Sequence, residues 1–372
     1  MKNNLLKIFQ IAAVFIGTIV GAGLASGKEI TQFFTSYGYK SFFGILICGA
    51  IYILVCSMFV KLSTKYNLKS YDELIKLVSP GFLGEITDIF TSFFLVSGAA
   101  IILAGSGALL NQYFGLSKWF GIIIMAFFAL FVLMKDTDGL IGINSIIVPS
   151  LIIVIATIFT LYILFAKDYI SINHLKSIPY NKNNWFLSTI LYSGFNILCC
   201  SGVLVPLANE FKRDLTLIWG IILGSLGLTL LCGAINLMLM LNVPYIYSYE
   251  IPLLYISHRF GDIIQIMLLC IIWFEMFSTV VSDVYSVSKM LQNLSERNKI
   301  KMKFWNTNSL WNNIISRLTY KKSVLLILFI AIPISQIGFS NLIRVLYPSF
   351  GVISIVFIFQ CSFFYIKEKT YK

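Results

Sequence analysis

Residues 17–29 read Gly17-Thr18-Ile19-Val20-Gly21-Ala22-Gly23-Leu24-Ala25-Ser26-Gly27-Lys28-Glu29, inside an apolar run from Leu5 to Phe34. Four glycines in eleven residues, then Ser26, Lys28 and Glu29, make a poor continuous helix. The spacing predicts a break near Gly21–Ala25. Hydrocarbon cannot satisfy the peptide groups that such a break frees, so they must line a wet cavity or meet a ligand. Freed N–H groups suit a substrate carboxylate, and freed carbonyls suit a sodium ion. The competing explanation is close helix packing, because Gly17/Gly21 and Gly23/Gly27 each form a GxxxG pair. Packing accounts for the glycines and poorly for the Lys28-Glu29 pair beside them.

The rest of the chain explains why this run sits in lipid. Of 372 residues, 58% are hydrophobic and 12% charged, with a mean hydropathy of +0.86. A soluble domain carries roughly 45–50% apolar and about 25% charged residues, so the class is a polytopic helical membrane protein. Its main partner is the lipid bilayer, and no room is left for a soluble catalytic domain. Ten apolar stretches can be drawn: Leu5–Phe34, Phe42–Val60, Phe82–Tyr113, Trp119–Met134, Leu140–Ala166, Trp185–Phe211, Leu215–Leu241, Ile263–Leu291, Ser323–Phe339 and Leu342–Ile366.

The net charge of +12 does not call for nucleic acid, since a soluble basic protein would not be this apolar. With the amino terminus inside, 20 of the 28 Lys and Arg residues fall in cytoplasmic segments. That bias predicts a multi-pass protein of a bacterial-type plasma membrane with both termini cytoplasmic. A cleaved signal peptide ending near Gly23-Leu24-Ala25 is the rival reading of the first run, and it would discard the most glycine-rich stretch of the chain. All seven cysteines lie in apolar runs, which argues against a disulfide framework. His174 and His258 have no acidic or Cys companions at ligand spacing, so no metal site is expected.

The spans nearly repeat at mid-chain. In 5–166 the first span is glycine-interrupted, the second plain, the third long, and the last two close together; 185–366 follows the same order. Five spans is an odd number, so the second set crosses in the opposite sense. Inverted repeats with matched interruptions point to a secondary transporter. The second interruption lies in Tyr192-Ser193-Gly194-Phe195-Asn196-Ile197-Leu198-Cys199-Cys200-Ser201-Gly202, ahead of Pro206. Spans 1 and 6 are therefore both expected to be discontinuous in one transmembrane domain covering 1–372. Asn196 sits near mid-span, where a buried amide needs partners; an interhelical hydrogen bond explains it equally well.

Span 8 carries Glu275, Ser278, Thr279, Ser282, Asp283 and Ser286. Positions 275, 278, 279, 282 and 286 share one helical face. A carboxylate at the middle of an apolar run is a functional candidate. Glu275 has three competing roles: binding a substrate ammonium, carrying a proton, or pairing structurally with a cation such as Lys28. Ser278 and Thr279, beside the carbonyls of Val20 and Gly21, would complete an oxygen cage for a hard monovalent cation. The candidate substrate set is Gly21, Ala22, Gly23, Ser26, Tyr192, Ser193, Gly194, Asn196 and Glu275. Residues 292–322 read as a basic cytoplasmic loop, in which Leu310, Trp311, Ile314, Ile315 and Leu318 recur at helical spacing and suit an interfacial helix.

The block Ile16–Ile30, the segment Val203-Leu204-Val205-Pro206-Leu207 and the segment Glu250-Ile251-Pro252-Leu253-Leu254 resemble the YkvI-type bacterial membrane proteins. That group looks like a distant branch of the amino acid–polyamine–cation superfamily. The resemblance implies a five-plus-five inverted-repeat fold of the LeuT type, with a central site between spans 1, 3, 6 and 8. It implies that Gly21–Ala25 and Tyr192–Asn196 are the facing unwound parts. Ser278 and Thr279 resemble the span 8 hydroxyl pair of sodium-coupled members. Lys28, with Glu29 beside it, resembles an outer gate. Span 10 departs from the pattern by offering Arg344 and Tyr347 but no acid. Span 5, with Asn144, Ser145 and Ser150, lacks the lysine that replaces sodium in some proton-coupled relatives.

The expected function is secondary transport of a small amino acid or amine, coupled to Na+ or H+, with no other cofactor. A nutrient receptor of the same fold is the alternative. An intramembrane enzyme is disfavoured because no HExxH or GxSxG string occurs, and a channel because no filter-like repeat occurs.

Overall fold

A computed structural model describes residues 2–68, 71–79, 82–135, 140–167, 170–211, 214–305 and 319–370. The expected interfacial helix at 310–318 lies outside the described residues. The first run becomes three pieces: α1 (Lys2–Ile19), α2 (Ala22–Ala25) and α3 (Lys28–Phe33). Then come α4 (Ser41–Tyr66), the short α5 (Tyr71–Val78), α6 (Phe82–Phe114), α7 (Lys118–Lys135), α8 (Leu140–Ala166) and the short α9 (Ile172–Ser177). The second half contains α10 (Trp185–Phe211), α11 (Asp214–Met240), the short α12 (Pro252–Ser257), α13 (Asp262–Trp305), α14 (Tyr320–Ser335) and α15 (Phe339–Thr370). Each of the ten apolar stretches is thus helical. Among the described residues, α4, α8, α10, α11, α13 and α15 contain segments long and apolar enough to cross a membrane, while those in α1 and α7 are apolar but shorter.

The helices pack as two groups. One joins α1 to α11, α11 to α4 and α4 to α10; the other joins α13 to α6, α8 and α14. Helix α15 touches both, through α10 and α6. Glycine makes the close crossings. Gly220 faces Ile11 and Gly224 faces Phe15 and Ala12, so the GxxxG pair of α11 is a seat for α1. Ser106 on α6 donates to the Gly121 carbonyl of α7 at 3.1 Å. Lys65 and Tyr66 at the end of α4 meet Glu368 near the end of α15, which closes the face carrying both termini.

Two expectations are corrected. The sixth span is not discontinuous: α10 runs unbroken from Trp185 to Phe211 with Pro206 inside it. Its polar residues turn back on their own helix. Ser193 donates to the Thr189 carbonyl at 2.7 Å, Asn196 to Tyr192 at 3.0 Å and Ser201 to Leu198 at 2.6 Å. Its central glycine serves packing, because a Cβ on Gly194 would lie 3.1 Å from the Gly351 carbonyl of α15. Second, the basic segment after span 8 does not begin as a loop. Helix α13 continues through 292–305, where no Gly or Pro interrupts a run rich in Leu, Glu, Lys, Arg and Met.

The crossing of α10 and α15 can be tested. A Cβ on Gly351 would stand 2.5 Å from the Leu191 carbonyl, a backbone atom that cannot swing aside. Gly351→Ala should destabilise by about 1–3 kcal/mol, as overpacking does. An unchanged thermal midpoint of the purified protein would show that the two backbones do not meet there.

Candidate functional site

The site starts at the break between α1 and α2. Gly21 is extended, with φ −103° and ψ −174°, and its N–H turns back to the Ile19 carbonyl at 3.0 Å. The helix restarts with Ala25 N–H donating to Gly21 and Ser26 N–H to Ala22, both at 2.9 Å. Among the described residues, the N–H groups of Ala22, Gly23 and Leu24 and the carbonyls of Gly17, Thr18 and Val20 have no hydrogen-bond partner. No atom lies within 4 Å of where a Gly21 Cβ would stand. The sequence-expected break is present, and it opens on empty space.

A second interruption separates α2 from α3. Gly27 has φ +79°, a left-handed conformation that a side chain would strain. Ser26 spends its hydroxyl locally, donating to the Gly23 carbonyl at 2.9 Å and accepting from Lys28 N–H at 3.3 Å. The segment before α13 clamps this turn. Leu253 N–H donates to the Ser26 carbonyl at 3.0 Å, and Lys28 Nζ donates to the Tyr249 carbonyl at 2.8 Å. Glu250 in the same segment pairs with Lys118 at 3.0 Å. Lys28 thus binds a backbone oxygen, and among the described residues it has no salt bridge to Glu275.

Glu29 is the most enclosed charged side chain near the break, 3% exposed. Its Oε2 accepts from the Tyr192 hydroxyl at 3.2 Å, and Tyr347 on α15 lies within electrostatic range of it. The carboxyl lies directly on Gly23, where a Cβ would meet Oε1 at 2.0 Å. One acid therefore ties three elements together. Aromatic rings surround it. Tyr192 packs on Phe33 and Phe34 with centroids 5.2 and 5.0 Å away, and Tyr347 stacks on Phe195 at 4.2 Å. Phe94 of α6 stands edge-on to Phe195 and Phe350.

Helix α13 supplies two more acids. It packs against α2 and places Glu275 at 4% exposure with Oε2 lacking any hydrogen bond. Thr279 donates to the Glu275 backbone carbonyl at 2.9 Å, and Ser278 is buried. Asp283 seats its carboxylate on Gly98 of α6 and lies within electrostatic range of Tyr347 and Cys199.

Of the residues singled out from sequence, Gly21, Ala22, Gly23, Glu29 and Tyr192 come together. Ser193 instead neighbours Cys48 on α4, and Gly194 faces α15. Tyr347, Phe195, Phe94 and Asp283 are neighbours outside the candidate substrate and ion sets drawn from the sequence. Asp283 carried a legible signal, an acid within an apolar run one helical turn after Thr279. The aromatic contacts arise only from tertiary packing.

Membrane protein YkvI of Bacillus subtilis (strain 168) is 31% identical over 349 residues, which cover 94% of this chain and 93% of YkvI. This chain belongs to the YkvI family. Protein YyaD of the same organism is 24% identical over 357 residues, 95% of each chain. No family model matches the chain. Among solved structures, inward-facing Mhp1 superposes with a TM-score of 0.66 at 11% identity, covering 96% of this YkvI-family chain and 75% of Mhp1. MhsT in complex with L-phenylalanine gives 0.55 at 14% identity, covering 95% and 88%. The fold is that of LeuT-type transporters.

The contact between Glu29 and Gly23 predicts coupling. A methyl group in Gly23→Ala would push the Glu29 carboxyl off Tyr192, so Gly23→Ala and Glu29→Ala should destabilise less together than their sum. Thermal midpoints of the two single variants and the double variant measure this; strict additivity would mean that the carboxyl does not rest on Gly23 in the membrane.

Proposed function

We propose that this YkvI-family chain is a secondary active transporter of a small amino acid or amine, coupled to Na+ or H+, working by alternating access in a bacterial plasma membrane. Both termini would be cytoplasmic, as the distribution of Lys and Arg supports. The observation that carries the reading is the interruption at Val20–Gly21, where the N–H groups of Ala22–Leu24 and the Val20 carbonyl lack hydrogen-bond partners among the described residues, within an apolar run. Such groups are tolerated in a membrane only where they line a cavity or hold a solute.

The proposed substrate contacts are the backbone of Gly21–Gly23, the Tyr192 hydroxyl, Asn196 and the Glu275 carboxylate. Ser26, Ser193 and Gly194 act in holding the surrounding helices, given their local bonds and close contacts. The proposed ion contacts are the Val20 and Gly21 carbonyls with the Ser278 and Thr279 hydroxyls. Lys28 and Glu29 act as gating residues that fasten α3 to its neighbours. The LeuT-type fold supports the mechanism, since Mhp1 belongs to a nucleobase-cation-symport-1 family and MhsT holds L-phenylalanine.

Proteoliposomes carrying the purified chain should accumulate radiolabelled amino acid or amine only while an imposed Na+ or H+ gradient lasts. Binding without flux under every gradient would leave a receptor and remove the transporter. In the same assay Glu275→Gln should lower coupled uptake at least tenfold; uptake at the unmodified rate would exclude Glu275 as proton carrier or amine ligand. Ser278→Ala combined with Thr279→Ala should shift the Na+ dependence more than the substrate dependence. A superimposable Na+ titration would exclude the oxygen cage.

A further inference from the structure

A second concavity lies on the face opposite the termini, outside the break. Its volume is about 400 Å³, within the range of roughly 300–1,000 Å³ typical of small-solute sites. Its polar lining comes from Gln32 on α3, Tyr37, the Lys182–Asn184 stretch before α10, and Arg344 on α15. Two cations therefore share one cavity with no Asp or Glu in its lining. Among the described residues, neither cation forms a salt bridge.

Lys182 is held in place by the surrounding elements. Backbone N–H groups of Asn181 and Lys182 donate to the Ser36 carbonyl at 3.0 and 3.1 Å, which pins the stretch before α10 to the end of the first span. Lys182 Nζ donates to the Gln32 carbonyl at 3.2 Å and lies 5.7 Å from the centre of the Tyr37 ring. Gln32 Nε2 donates to the Ile343 carbonyl at 3.3 Å, next to Arg344. Two like charges thus line one cavity, Lys182 tethered and Arg344 exposed, without a counter-ion from the protein. Lys182 reports the strain of this arrangement: burial, and then the like charge of Arg344, hold its ammonium below the usual lysine range. An oxyanion between them would relieve the repulsion and add charge-assisted hydrogen bonds.

The cavity floor is apolar, formed by Phe33, Leu191 and Pro348. Directly beneath it, Tyr192 packs on Phe33 and donates to Glu29. Along one path inward the lining runs from two cations to a layer of rings to a buried acid. We propose that this cavity is a binding site for the carboxylate of a small free solute, with Lys182 and Arg344 as its ligands. The site is defined by equilibrium binding and does not require transport.

The test uses the full-length chain in nanodiscs of phosphatidylcholine alone, titrated calorimetrically with L-glutamate, succinate and the diamine putrescine. Both carboxylates should bind, more weakly as salt rises. Lys182→Gln and Arg344→Gln should each weaken succinate binding about tenfold, Lys182→Arg should retain it, and none of these should alter the thermal midpoint by more than a degree or two. The site is overturned if the Lys182→Gln/Arg344→Gln double variant binds succinate as well as the unmodified chain. It is equally overturned if only putrescine binds, or if heat is released only when phosphatidylglycerol is added to the disc, which would make the ligand a lipid phosphate. Charge-dependent succinate binding in a chain that catalyses no uptake would remove the transporter reading and leave this site standing. Uptake that is normal in both variants, with no succinate binding, would do the reverse.

Discussion

A peptide group in hydrocarbon has no water to bond, and the architecture follows from how this chain meets that constraint at Val20–Gly21. Apart from the turn at Ser26–Gly27, the other described spans run as helix, with Pro149, Pro206, Pro333 and Pro348 inside them. At one depth the chain leaves helix geometry, and two groups of helices meet around it. The segment at 249–253 fastens the restarted chain through Ser26 and Lys28, and Glu29 fastens it to Tyr192. The break is thus supported on both sides by groups that would otherwise be unsatisfied themselves.

Glycine does two different jobs in this molecule, and the distinction is physical. Gly194, Gly220, Gly224 and Gly351 lie where another backbone or a core side chain approaches, and removing the side chain is the point. Gly21 faces nothing, and Gly27 adopts a backbone conformation that other residues resist. A sequence presents both kinds as the same letter. The Ser26, Lys28 and Glu29 that accompany the first run separate it from the rest, because charge and hydroxyls in an apolar stretch need partners that only tertiary structure can supply.

That difference explains how much of the fold and site was legible beforehand. Spans were readable because hydropathy and helix length are local properties, and α8 and α10 begin and end at the expected residues. The break in span 1 was readable because helix propensity is local too. Continuity of α10 was not, since whether Gly194 unwinds or packs depends on what α15 places opposite it. Nor were the neighbours of Glu29, because Tyr192 and Tyr347 lie more than 160 positions away in sequence. Asp283 was legible as well, from its placement among apolar residues four positions after Thr279.

Helix α13 carries a mechanical corollary. Its apolar run ends at Leu291, but the rod continues to Trp305, about 20 Å further at 1.5 Å per residue. Rigid rods magnify angles: a rocking of about 10° within the lipid carries the tip sideways by about 3.5 Å at that rise. The helix that positions Glu275 and Asp283 is therefore also a pointer, and its far end registers in the aqueous phase any reorientation of the acids it bears.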